Sequence, residues 1–240
     1  MTTDETSEQI EFAWALSPRW ATASSSDVVD VVERNDGPGL LVMIDVQGSG
    51  ASGTRLANSL LSFARELIAG GADPGVAAQA TSQHLYSLRD GKVSASLHIA
   101  SIQPVARTLT VSGYGACTLA YRSVSPWQTM GMDKQGAGVN PNETPATVTA
   151  PLSPGESVII ANDGIAGDQA ELRSLLSDDW PQTSPRDLAM HVIRVAIDRQ
   201  GGRPKSDMAV AAVTWSSLKD KHRISSGAKS FQLRNHRSAL

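Results

Sequence analysis

Three aspartates, Asp27, Asp45 and Asp163, sit where short apolar runs begin or end, each beside small residues: Ser24 to Ser26, Gly48-Ser49-Gly50 and Gly164. A carboxylate at the end of an apolar strand is costly to desolvate unless it is hydrogen-bonded or bound to a cation. Convergent strand-end carboxylates are hard oxygen donors of the kind that hold Mg²⁺ or Mn²⁺. The same residues also suit the capping of turns and helices. The pattern leaves both roles open for Asp45 and Asp163 and favours capping for Asp27.

Other chemistries are poorly served. Gly48-Ser49-Gly50 opens a helical pattern and can turn backbone N–H groups toward an anion. It lacks the lysine of a phosphate loop, and no Gly-x-Gly-x-x-Gly follows. The Gly-x-Ser-x-Gly elbow of hydrolases is absent. His84 and His98 have no acid or nucleophile partner in sequence; His84 reads as an ordinary helix residue and His98 as an outward strand residue. The single cysteine, Cys117, excludes an internal disulfide and a thiolate cluster, and its strand-like setting marks it as core.

The elements that must position the aspartates follow from hydrophobic period. Glu11 to Leu16 and Val28 to Glu33 read as strands, and Asn35-Asp36-Gly37-Pro38-Gly39 turns the chain into the buried run Leu40 to Val46. Leu56, Leu60, Leu61, Ala64, Leu67 and Ile68 predict a helix over 52–69. Asp73-Pro74 caps a second helix reaching about Leu88. Two successive helices after a hairpin indicate helices laid over a sheet, not a βαβ repeat. Period two returns from Val93 to Ser123. Residues 127–145, rich in Gly, Asn and Pro, read as a long loop. Strands over 157–161 and 208–215 enclose helical patterns at 168–176 and from Ser184-Pro185.

The 240 residues fit one domain with a tail. Apolar runs are far shorter than the roughly 20 residues of a membrane span, and the N-terminus lacks a secretory pattern, so a cytoplasmic protein is the default expectation. The net charge of −3 divides into +5 for residues 216–240 and −8 for the rest. An acidic body does not fit a nucleic-acid-binding domain. Residues 1–10 read as a loose segment, 11–215 as the domain, and 216–240 as a flexible basic tail, or alternatively a basic contact segment.

In order along the chain, Ser26-Asp27-Val28-Val29, Ile44-Asp45-Val46-Gln47-Gly48-Ser49-Gly50, Leu152-Ser153-Pro154-Gly155-Glu156, Asn162-Asp163-Gly164 and Lys205-Ser206-Asp207-Met208-Ala209-Val210 resemble the metal-dependent protein phosphatase 2C superfamily. More narrowly they resemble its bacterial SpoIIE-like branch, with a single-domain layout most similar to RsbX-type stress-signalling phosphatases. The resemblance spans about Glu11 to Trp215. It implies an α+β fold: a four-layer α-β-β-α sandwich of two packed antiparallel sheets flanked by helices. It also implies two Mn²⁺ or Mg²⁺ ions at one rim. Asp27 matches an acidic residue near the metal centre, Asp45 a bridging ligand, Val46 a backbone-carbonyl ligand and Asp163 a further metal aspartate. Gly48, Gly50 and Gly164 match the glycines close to the site.

The sequence departs from that pattern at its last motif, where Ser206 stands at a ligand position normally held by aspartate. Asp207 replaces it only by a shift of register, and the second ion site is expected to be weakened. The implied reaction is hydrolysis of phosphoserine or phosphothreonine on a regulatory partner, a STAS-domain or stressosome component. A catalytically weakened or inactive binding module is the alternative, and hydrolysis of a small phosphoester a third reading.

Overall fold

A computed structural model of the chain describes residues 8–34, 37–48, 50–122, 126–178, 184–217 and 229–232. Of the loose segment expected over 1–10, Glu8 to Ile10 instead run as strand; residues 1–7, the tip of the first hairpin at Asn35-Asp36, Ser49 and most of the tail lie outside the described residues.

The elements run β1 (Glu8–Ser17), β2 (Asp27–Arg34), β3 (Gly37–Val46), α1 (Ala51–Ala69), α2 (Pro74–Arg89), β4 (Ala95–Gln103), β5 (Thr108–Tyr114), β6 (Cys117–Arg122) and β7 (Gln128–Met132). They continue with β8 (Ala146–Pro151), β9 (Glu156–Ala161), α3 (Gln169–Ser174), α4 (Pro185–Arg199), β10 (Met208–Ser217) and β11 (Lys229–Gln232). One sheet has the order β11-β1-β10-β9-β6-β7 and the other β2-β3-β4-β5-β8. The pairings are antiparallel except that of β11 with β1.

Both faces of each sheet are covered. Phe12 and Trp14 of β1, Leu119 of β6 and Val213 of β10 pack against Leu41 and Met43 of β3 and Val111 of β5, which joins the sheets face to face. Val42, Ile44 and Leu97 turn the other way, onto Leu56, Leu60, Ala64 and Ile68 of α1 and Ala78 and Leu85 of α2. On the far side Ile159, Val210 and Ala212 meet Leu172 of α3 and Leu188, Val192 and Ile193 of α4. Burying each of these large aliphatic side chains contributes roughly 1.5–3 kcal/mol. The result is the four-layer α-β-β-α sandwich.

The helix signals act as read. Asp73 accepts from Gly75 N at 2.8 Å ahead of Pro74, and Ser184 Oγ accepts from Asp187 N at 3.2 Å ahead of Pro185. Cys117 is 2% exposed, and burial pushes its thiol up to about 12, which keeps it inert at neutral pH.

Three readings change. Residues 128–132, placed in a loop, form the edge strand β7, paired with β6 from Cys117↔Met132 to Tyr121↔Gln128. His98 is not outward: it is 2% exposed on the face between the sheets, and its register partner Gly113 leaves room for the ring, since a Cβ there would lie 3.0 Å from His98 Cδ2. Within the tail, Lys229–Gln232 runs as a strand beside β1.

Candidate metal and substrate site

At one end of the sandwich, β2, β3 and β4 bring polar residues side by side. Asp27 is the cross-strand partner of Asp45, and Asp45 pairs on its other side with Ser96. Successive residues of a strand alternate between faces, so Asp27 and Asp45 share the inter-sheet face with Val29 and Met43 one register step inward. Asp27 is 3% exposed. Burial foremost, then the charges of Asp45, Asp207 and Asp163, hold its carboxyl well above the usual range. Burial also raises Asp45, opposed by hydrogen bonds from Asp27 and Ser26. The burial and the surrounding acidic charge therefore favour a proton or a cation on the pair. Asp27 Oδ1 has no hydrogen-bond partner among the described residues.

The opposite sheet supplies Asn162, at the exit of β9 and 1% exposed. Its Nδ2 donates to Asp27 Oδ2 at 3.2 Å and to the Asp207 carbonyl at 3.3 Å. Its Oδ1 accepts from Ala209 N at 3.0 Å and Ile165 N at 3.3 Å. One amide thus ties β2 to the β9 turn and the start of β10, with both donors and its acceptor satisfied. Sequence reasoning gave Asn162 no role; a polar residue directly after the buried run Val158–Ala161 was the available signal.

Asp163 is solvent-exposed in the turn after Asn162, and its charge reaches both Asp27 and Asp45. Gly164 is dictated by a close approach: a Cβ there would lie 1.9 Å from the Asp207 carbonyl oxygen and 3.1 Å from Ser206 Oγ. Asp207 has both carboxylate oxygens engaged. Oδ1 accepts from Arg19 N at 2.7 Å, and Oδ2 accepts from Ser26 N at 2.7 Å and Ser26 Oγ at 2.8 Å. It clamps the β1–β2 loop, a role that alternation along β10 does not announce. Ser206 is exposed beside it.

Val46 buries its side chain against the helices and borders the cleft. Gly48 has φ 147° and accepts from Ser26 Oγ at 3.4 Å. Gly50, at φ 74°, begins α1 without a side-chain cap. Thr54 of the first turn donates to Ser25 O at 2.9 Å, holding the helix start against the β1–β2 loop. Together these segments enclose a cleft of ≈ 190 Å³ lined by Arg19, Ser26, Asp45, Gly48, Lys205 and Ser206, among others.

The donor set fits a hard divalent cation on the Asp27–Asp45 side. There, two adjacent carboxyls are driven up by burial and by neighbouring acidic charge, Asp163 included, and one buried oxygen has no hydrogen-bond partner among the described residues. The Ser206–Asp207 side fits less well, because it offers a hydroxyl and a carboxylate already filled with hydrogen bonds. Accordingly, no group of three or more His, Cys, Asp or Glu among the described residues forms a ready-made metal cluster.

Sandwich and site together define a domain of the PP2C-type phosphatase fold. The signature of the family described as Stage II sporulation protein E (SpoIIE) matches residues 35–216, and the chain belongs to that family. Among solved structures it is similar to the PP2C phosphatase domain, with a fragment of the regulatory domain, of SpoIIE from Bacillus subtilis: TM-score 0.72, 16% identity, covering 88% of this chain and 63% of that one. It is also similar to the catalytic domain of the serine/threonine protein phosphatase PstP in complex with two manganese ions: TM-score 0.65, 12% identity, 88% of this chain and 100% of that one. A third similar structure comes from work on the bacterial stressosome, at TM-score 0.64 and 17% identity, covering 85% of this chain and 99% of that one. At these identities the likeness is one of fold. No curated protein matches the sequence. No helix among the described residues is long and apolar enough to cross a membrane.

Proposed function

We infer that the chain hydrolyses phosphoserine or phosphothreonine on a regulatory protein, using Mn²⁺ or Mg²⁺ held by Asp27, Asp45 and Asp163 with the Val46 carbonyl. The observation that carries this reading is the Asp27–Asp45 pair: two cross-strand carboxyls raised by burial and by neighbouring acidic charge, one with an orphaned oxygen, at the edge of a cleft. A bound divalent ion there supplies charge that neutralises phosphoryl oxygens and activates water for direct attack.

This chain's own residues do the rest. Asn162 orients Asp27 through its Nδ2. Asp207 fixes the Ser26 backbone, and Gly164 lets the β9 turn close on the start of β10. Lys205 and Arg19 bring positive charge to the cleft wall. A cleft of ≈ 190 Å³ lies below the roughly 300–1,000 Å³ of sites that engulf a small ligand, which supports a phosphorylated side chain presented by a protein over a free small ester. The stressosome neighbour supports a STAS-domain or stressosome-type phosphoprotein as substrate.

Two ions are proposed, the second weakly held because Ser206 brings a hydroxyl where a carboxylate would serve. That same feature favours a second reading, a phosphatase-fold module that binds its partner without turnover. Phosphate release from phosphoserine peptides with and without Mn²⁺ separates them. Turnover that requires Mn²⁺ and disappears in Asp45→Ala establishes the enzyme; release no greater than in that variant rejects it.

A further inference from the structure

Two loops next to the cleft are locked together. The β1–β2 loop and the α4–β10 loop meet where Trp20 N donates to Pro204 O at 2.8 Å and Arg19 N to Asp207 Oδ1 at 2.7 Å. The second loop is braced from behind, since Lys205 N donates to Gln200 Oε1 at 2.8 Å and Arg203 N to Gln200 O at 3.2 Å. Ala21 is held at φ 65°, a left-handed conformation that a residue with a Cβ seldom adopts. The turn it makes leaves Trp20 45% exposed. The other exposed large apolar side chains among the described residues, Val76, Leu88 and Val105, lie outside the loops that line the cleft.

Charge is sorted across this edge. The two loops carry Arg19, Arg203 and Lys205, and their only carboxylate, Asp207, turns inward to accept three hydrogen bonds. Beyond the rim lie the carboxylates Asp27, Asp45 and Asp163, in a body whose formal charge is −8. A cation-binding floor thus adjoins a cationic wall. The Arg203 guanidinium lies over the Trp20 ring, 5.5 Å from its centroid. A cation–π contact of that kind uses the face of the ring and leaves guanidinium N–H groups available to a carboxylate.

Resting on the phosphoprotein reading above, we propose that this rim recognises the sequence flanking the phosphorylated residue. Arg203 takes an acidic side chain, Trp20 an apolar one next to it, and both act as specificity-determining residues outside the cleft. The occupant is a protein segment carrying Asp or Glu within a few residues of the phosphoserine. The two loops are hydrogen-bonded to each other in the free protein, so the preference resides there and does not depend on a bound metal.

Fluorescence anisotropy with two labelled phosphoserine peptides tests this, one flanked by Glu and Leu, the other by Ala at the same positions. The native chain should bind the first about tenfold more tightly, a difference that salt reduces. Arg203→Glu should abolish the preference and Trp20→Ala should cut it severalfold, while both variants hydrolyse p-nitrophenyl phosphate like the native chain. Equal binding of the two peptides by the native chain overturns the proposal, as does a preference that survives Arg203→Glu. So does tighter binding of anionic vesicles or single-stranded DNA than of the acidic peptide. The catalytic reading fails separately: a native chain that prefers the acidic peptide yet releases no phosphate keeps the rim and loses the enzyme.

Discussion

Asp27 and Asp45 face each other as cross-strand partners, and burial with the neighbouring acidic charge raises the demand of both for a proton or a cation. Both groups have folded-state values above their unfolded ones, so their contribution to stability is fully present below the usual carboxylate range and fades as pH rises through the raised values. Above that range the metal-free fold carries an unfavourable pair. Asp45→Asn removes one charge and offers an amide N–H to Asp27 Oδ1. At pH 7.5 without metal it should stabilise the fold by roughly 1 kcal/mol, read as a urea midpoint shift. If Mn²⁺ raises the Tm of the native chain, as the proposed function expects, the substitution should abolish that rise. A variant less stable than the native chain, with the Mn²⁺ effect intact, would contradict the pairing.

Asp207 acts as a clamp on the β1–β2 loop. Asp207→Ala strands the Arg19 and Ser26 amides and leaves the Ser26 hydroxyl only its longer bond to Gly48 O, which should cost roughly 2–4 kcal/mol. Hydrogen exchange should accelerate at those two amides ahead of the β3 and β4 core. Unchanged protection there would show that the loop is held by other contacts.

Gly164 is required by space. Its backbone is not left-handed, so Gly164→Ala tests packing alone: the added methyl meets the Asp207 carbonyl oxygen at 1.9 Å. Either the β9 turn or the start of β10 must move. We expect a loss of more than about 2 kcal/mol and weakened Mn²⁺ binding, measured by denaturation and isothermal titration.

Much of this was legible in sequence because the helices carry their own punctuation and the central strands their own greasy runs. Asp45 and Asp163 stood out in sequence because a carboxylate bordering an apolar strand is conspicuous, whereas for Asp27 the pattern favoured capping and only the family resemblance pointed to the metal centre. The failures have physical causes. β7, with Gly131 and no β-branched residue but Thr129, takes its conformation from pairing with β6, and an edge strand's own pattern is a weak guide to that. His98 was placed outward by alternation, yet alternation separates inside from outside only when one face is wet, and here helices cover one face and the second sheet the other. Asn162 and Asp207 act across more than a hundred residues of chain, and no local pattern encodes that.

The buried His98 should mark the acid limb of the stability curve. Burial holds it neutral down to about 4 against an ordinary 6.5, opposed by a backbone hydrogen bond at Gly115. A depressed histidine leaves the native state with fewer bound protons than the unfolded chain, so stability is full above 6.5 and falls as pH drops toward 4. The gap corresponds to about 3 kcal/mol. His98→Leu should flatten the decline between pH 6.5 and 4.5 in urea titrations, whatever its effect at pH 7.5. An identical slope in both proteins would mean the ring is already protonated in the fold.

Ser206 is where the donor set thins out, and reversing that deficit is the most direct probe of the site. Its hydroxyl borders the same cleft as Asp45 and lies near the Gly164 turn that carries Asp163. Ser206→Asp would add a fourth carboxylate facing Asp27, Asp45 and Asp163, since Asp207 is already occupied by its amide partners. Without metal the extra charge should lower stability at pH 7.5, a penalty that fades under acid as the carboxyls take up protons. With Mn²⁺ the order should invert: affinity should increase roughly tenfold through the added charged ligand, and a second equivalent should bind. Titration calorimetry reads both quantities without reference to turnover. If phosphate release rises in parallel, the hydroxyl is what restrains the native enzyme. If affinity and stoichiometry stay unchanged while the metal-free protein weakens, position 206 does not face the proposed ion, which would then rest on Asp27, Asp45 and Asp163 alone.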